Sequence, residues 1–150
     1  MPEKKTLKRA KRDKAQGKAA STQAGEFVRE EMEHIRQGKH GARSTKQAIA
    51  IGLSKARRAG VELAPPKKGR ASEATRKRAK RDLEKGQSGA AAKPAAKRSR
   101  ATREALKREP RAAASKSALS KHAKQAAARR RAKGKTTSSG GNRGRRKASR

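Results

Sequence analysis

The chain has no cysteine, no tryptophan and no tyrosine, and Phe27 is its single aromatic residue. Without thiols there is no disulfide framework and no thiolate metal centre, and a reducing interior is the ordinary expectation. Without aromatic platforms, the stacking surfaces on which single-stranded bases are read are missing too. Acidic residues are also scarce, 12 against 46 lysines and arginines, which gives a formal net charge of +34 over 150 residues. No apolar run follows the charged opening MPEKKTLKRAKRDK, so a signal peptide is not expected. No window approaches the ~18 apolar residues of a membrane-spanning helix. A soluble, intracellular protein is expected. Catalytic equipment is absent as well: there is no glycine-rich phosphate loop after a strand and no acid pair in a plausible pocket. A non-enzyme is expected, without cofactor or small-molecule substrate.

What the chain does have is positive charge. So basic a polypeptide repels itself unless it lies on a polyanion, and nucleic acid is the first candidate. An anionic membrane is a poor one, because the basic segments lack the bulky apolar face that an interfacial helix buries.

Charge divides the chain. Residues 1–20 carry eight bases and two acids, residues 21–64 eight and five, and residues 65–150 thirty and five. We read 1–20 as a basic N-terminal arm, 21–64 as a helical module, 65–110 as a basic helical repeat region and 111–150 as an Ala/Lys/Arg-rich tail. Pro65-Pro66 closes the module, since both residues lack a backbone donor and have a fixed φ.

The expected fold class is mainly α: a two-helix hairpin over about 22–37 and 45–59, flanked by marginal basic helices and a largely disordered tail. In the first helix Ala24, Val28, Met32 and Ile35 recur at spacings of four, four and three, with Phe27 beside them. Ser21 or Thr22 is expected to cap its start and Gly38 to end it. The second helix carries the capping-box pair Ser44 and Gln47 and closes at Gly60-Val61. Its AIAI sequence alternates like a strand, but Ile49, Leu53 and Ala56 follow helical spacing, and helix is the reading adopted. The expected core is Phe27, Val28, Met32, Ile35, Ile49 and Leu53. So small a hairpin buries too little to stand alone, and a second copy or another partner is expected to cover it.

The outer segments repeat one another. TLKRAKRDKAQG at 6–17 and TRKRAKRDLEKG at 75–86 agree at eight of twelve positions, and ATREALKRE from Ala101 is a looser echo. Each reads as a short basic helix that gains order on a polyanion. Another is expected from about 115 to 132, and the closing GKTTSSGGNRGRRKASR is expected to be disordered. The candidate nucleic-acid-binding residues are Lys8, Arg9, Lys11, Arg12, Arg76, Lys77, Arg78, Lys80, Arg81, Arg129, Arg130, Arg131, Arg145, Arg146 and Lys147.

Three further readings come from the central module. The leading end of the second helix, Thr45-Lys46-Gln47, could enter a major groove, but a helix-turn-helix domain rests on more core than this, and a packing helix is preferred. The acidic cluster Glu26, Glu30, Glu31 and Glu33 either favours the first helix's N-terminus and pairs with Arg29 and Arg36, or docks against a basic arm or a partner protein. Glu31, His34 and His40 lack the usual ligand spacing, and no metal site is expected.

Residues 25–60, GEFVREEMEHIRQGKHGARSTKQAIAIGLSKARRAG, resemble a family of uncharacterised small basic bacterial proteins with a KQAIAIGLSKAR-type helical core. The tail is similar in composition to those of linker histones and bacterial histone-like proteins. The resemblance implies a recurrent module in a bacterial protein, with no activity to carry over. The expected function is sequence-independent electrostatic binding of duplex DNA, compacting or protecting it in the cytoplasmic nucleoid. An RNA- or ribosome-associated role stays open, as does a protein-interaction or self-association module, such as a homodimer through the hairpin, tethered to nucleic acid by its arms.

Overall fold

The computed structural model describes residues 2–89 and 96–139, with side chains in the last helix as far as Ala132. Among these residues there are six helices: α1 Lys4–Ala15, α2 Ala20–Arg36, α3 Thr45–Arg58, α4 Glu73–Gln87, α5 Ala96–Arg108 and α6 Lys116–Ser139. One 3₁₀ turn, Ala112–Ala114, precedes α6, and no strand forms among the described residues. The chain is mainly helical, as its periodicity implies. Residues up to Ser115 make one compact unit and those from Lys116 a second. α6 runs past the expected end near 132, to Ser139, and the remaining tail lies outside the described residues.

The α3 boundaries follow from its end signals. Ser44 Oγ accepts from the Gln47 amide at 3.2 Å, while Gln47 Oε1 accepts from the Arg43 amide at 2.8 Å, one residue upstream of the usual capping-box partner. At the other end Gly60 takes φ 91°, its amide donates to Arg57 O, and the Val61 amide donates to Ala56 O. This is the Schellman pattern, and Gly38 ends α2 the same way with φ 73°. The expected Ser21 or Thr22 cap is not used. α2 begins at Ala20 behind Ala19, without a side-chain cap. The α1–α2 corner is held instead by Lys18, whose Nζ pairs with Asp13 at 2.8 Å and whose carbonyl accepts from Gln23 Nε2 at 2.8 Å.

The core differs from the expected set in an instructive way. Phe27, Met32 and Ile35 are buried, but Val28, Ile49 and Leu53 are only half-buried. The buried line of α3 is Thr45, Ala48, Gly52 and Ala56. The reason is the closeness of α2: a Cβ on Gly52 would stand 2.7 Å from Val28 Cα. Only small residues fit along such a seam, so the large side chains are displaced to its flanks.

Phe27 closes the core with Ala10, Ala24, Ala56 and Val61, and Leu7, Ala20, Leu53 and Leu63 pack around them. Two of these contributors, Leu7 and Ala10, come from α1. The helices that cover the α2–α3 pair therefore belong to the same chain: α1 lies on α2, and α4 lies on α3. Burial of a Phe-sized side chain stabilises by about 1.5 to 3 kcal/mol, and Phe27 reaches it only with α1 in place. The segment after α5 adds a backbone clasp. Gly41 donates to Leu106 O and Ala42 to Pro110 O, while Thr45 Oγ1 donates to Ala113 O at 2.7 Å and Arg36 Nε to Ala114 O at 2.9 Å. Thr45 is thus covered, which removes it from the leading-end groove reading.

At the α1 N-terminus, Glu3 accepts from His34 Nε2 at 2.8 Å and Lys39 Nζ at 3.2 Å, and its own amide donates to Glu30. The His34 hydrogen bond first, then Lys39, holds the Glu3 carboxyl below its ordinary value. A lowered carboxyl contributes stability that is present above its unfolded value and lost as pH falls through the folded one. Acidification to below the ordinary carboxylate range is therefore expected to loosen the α1 N-terminus. Carboxyl-detected NMR titration of wild type against Glu3→Gln checks this, and identical acid transitions in the two would refute it.

Candidate nucleic-acid interface

The sequence repeat becomes a structural one. Ala10 in α1 and Ala79 in α4 occupy the same place in their units, and both are buried. Asp13 and Asp82, again equivalent, both turn toward the core: Asp13 is buried on Lys18, and Asp82 accepts from Ser54 Oγ and pairs with Arg58 at 3.2 Å. Helical geometry then sends the positions between them to the opposite face. Lys4, Lys5, Lys8, Lys11 and Arg12 are exposed on α1, and Lys77, Arg78, Arg81 and Lys85 on α4. At 1.5 Å per residue these faces run about 18 and 22 Å. Lys4, Lys5 and Lys85 were not among the expected contacts, although the same helical period places them there.

Three expected contact residues are engaged otherwise. Arg9 is drawn against Glu26 at 3.5 Å, Arg76 pairs with Glu73 at 2.6 Å and donates to Pro66 O, and Lys80 stands 3.9 Å from Glu84. Arg129, Arg130 and Arg131 are exposed on α6, in the second unit. Arg145, Arg146 and Lys147 lie outside the described residues.

Several of the acids on α1 and α2 are turned the other way. Asp13, Glu30 and Glu31 are buried, and Glu26 is half-buried against α1. Arg29 pairs with Glu33 at 3.3 Å, but Arg36 goes to Ala114 O and not to an acid. So the acidic side of α2 is largely a docking face for α1, the loop before α3 and α3 itself, through Arg9, the Glu3 amide, His40 and Lys55. Arg57 is the one buried cation on α3. Burial pulls its guanidinium below the ordinary arginine value, though arginine stays charged, and it ties the α3 exit by donating to Leu63 O and Ala64 O.

The net effect is a partial sorting of charge: Asp13, Glu26, Glu30, Glu31 and Asp82 lie inward or between helices, most lysines and arginines lie outward, and Glu33, Glu62, Glu73 and Glu84 stay at the surface beside basic partners. No helix among the described residues is long and apolar enough to cross a membrane. No curated protein and no solved structure matches this chain. Residues 4–68, a little under half of the chain, match the model of a family of unknown function (DUF6496), which extends the resemblance read at residues 25–60 across α1 and to the loop beyond α3.

Proposed function

We propose that the protein is a non-enzymatic, sequence-independent binder of duplex DNA. In this reading the α2–α3 hairpin is a scaffold that holds α1 and α4 with their cations facing the phosphates, and α6 and the tail add further charge. The observation that carries it is the charge sorting on the repeated helices: nine exposed cations on α1 and α4 that have no ion-pair partner among the described residues, with the equivalent alanines and aspartates turned inward. Lysine and arginine on phosphate release condensed counterions, which drives binding with little regard to base sequence. Duplex is favoured over single strands because the chain has no aromatic platform beyond the buried Phe27.

Fluorescence anisotropy on a short duplex tests the reading. With six to ten phosphates engaged, affinity should fall by about 10³ to 10⁵ between roughly 50 and 200 mM salt. Affinity that stays flat across that range rules the proposal out. Structured RNA added as competitor at matched salt should displace the duplex no better than unlabelled duplex does. Preferential displacement by RNA would move the assignment to a ribonucleoprotein role.

A further inference from the structure

We propose that Glu31, His34 and His40 form a zinc-type divalent metal site, with Glu3 as the fourth donor. Their spacing in sequence hides this, because His40 lies beyond the helix that carries the other two. Glu31 and His34 are three residues apart on α2 and share a face. Gly38, at φ 73°, turns the chain back, so that the His40 ring meets the His34 ring edge to face with centroids 6.2 Å apart. One donor atom from each of the three residues then lies within 4.8 Å of the others.

Two details point to a cation. Glu31 is 1% exposed; Lys55 Nζ takes its Oε2 at 2.6 Å, while its Oε1 is buried without a hydrogen-bond partner. Facing that oxygen at 3.2 Å is His40 Nε2. The other ring nitrogen, Nδ1, lies 3.0 Å from Gly41 O and can reach it only as a donor. That is the second bond by which metal-ligating histidines are usually oriented, and it leaves Nε2 of the neutral ring as a lone pair aimed at a carboxylate oxygen. Two acceptors face to face call for a cation between them, either a proton on the ring or a metal. With bonds of about 2.0 to 2.2 Å, neighbouring donors of a tetrahedral zinc stand roughly 3.3 to 3.6 Å apart, so the Glu31–His40 edge is nearly preformed. His34 Nε2, 2.8 Å from Glu3 Oε1, would give up the proton it donates there, to its own Nδ1 or to solvent, and turn so that nitrogen and carboxylate reach the same ion. An ion bound there would join the α1 N-terminus, α2 and the loop before α3.

The test is titration of the metal-free full-length chain with Co²⁺, followed by displacement with Zn²⁺. One saturable equivalent with the visible bands of four-coordinate cobalt on nitrogen and oxygen is expected. His34→Gln and His40→Gln should each weaken zinc binding by at least about 10- to 100-fold, the cost commonly seen even for outer-shell losses. His122→Gln, on α6, should leave it unchanged. Glu31 also holds Lys55, so its replacement risks the fold, and the histidine variants carry the decision with helix content followed by circular dichroism. X-ray absorption of the wild-type zinc complex decides without any variant: two imidazoles plus carboxylate oxygen are expected. A shell with one imidazole or none overturns the proposal, as does wild-type affinity in a folded His40→Gln chain. Absence of a saturable cobalt band also overturns it and leaves the proton as the shared cation.

Discussion

Exchanging Lys8, Lys11, Arg12, Lys77 and Arg81 for glutamate is expected to remove most DNA affinity while leaving the helical fold in place. All five are exposed, and none has an ion-pair partner among the described residues. Each exchange removes one positive charge and adds one negative, so the formal charge falls by ten, from +34 to +24. If each of the five meets one phosphate, the slope of log affinity against log salt should flatten by about 4 to 5, at ~0.9 per contact. At low salt that amounts to a loss of several decades. The complementary set is Arg9, Arg76 and Lys80, already beside Glu26, Glu73 and Glu84. Their replacement by glutamine should change the slope far less, and at Arg9 the main effect should be on the docking of α1. Salt-dependent anisotropy measured on both variants discriminates the two sets. An unchanged slope in the five-residue variant would place binding on α6 and the tail and remove α1 and α4 from the interface.

Much of this arrangement is legible in the sequence, but some of it is legible only for the wrong reason. The α3 boundaries can be read because capping uses local chemistry: Ser44, Gln47 and Gly60 act within a turn of their own positions. The repeat can be read as well, and its meaning sharpens once Ala10 and Ala79 are seen to be the buried positions. Small residues look like filler in an Ala-rich chain, yet here they mark the contact lines. The same blindness explains the misplaced core on α3. A periodicity argument weighs Ile49 and Leu53 because they are large, whereas the close α2 seam selects Ala48, Gly52 and Ala56 because they are not.

Two features have a geometry that the sequence does not give. The clasp between Gly41-Ala42 and Leu106-Pro110 is made by backbone groups, and a backbone amide looks alike at every position. The Glu31–His34–His40 grouping depends on a single left-handed glycine between helices, so its geometry is set by the turn and not by the spacing of the donors. The repeat's terminal glycines show how one letter can serve two purposes. Gly17 takes φ 69° with open space around it, while Gly86, its equivalent, is helical and pressed against the Arg57 carbonyl.

Glycine-to-alanine substitutions should accordingly change stability with opposite signs at positions that look alike in sequence. Gly25 and Gly52 both lie inside helices, and in an isolated helix alanine is the better residue by about 0.5 to 1 kcal/mol. An alanine methyl at position 25 would meet nothing within 4 Å, so Gly25→Ala should gain that amount in full. At Gly52 the same methyl would stand 2.7 Å from Val28 Cα and 2.9 Å from Val28 N, both backbone atoms that cannot swing aside. α2 and α3 must then separate along the Ala48–Gly52–Ala56 line, loosening the cover over Phe27. Overpacking of this kind costs about 1 to 3 kcal/mol, which outweighs the propensity gain. Gly86→Ala is expected to be at least as damaging, because its methyl would meet the Arg57 carbonyl and lever α4 away from α3. For a unit of this size, about 1 kcal/mol moves the midpoint by roughly 4 to 8 °C, well within reach of calorimetry. The expected order of midpoints is Gly25→Ala above wild type, and wild type above both Gly52→Ala and Gly86→Ala. A Gly52→Ala chain as stable as Gly25→Ala would mean that α2 and α3 do not meet at this seam. The placement of α1 and α4 on that pair, and with it the orientation of their basic faces, would then have to be redrawn.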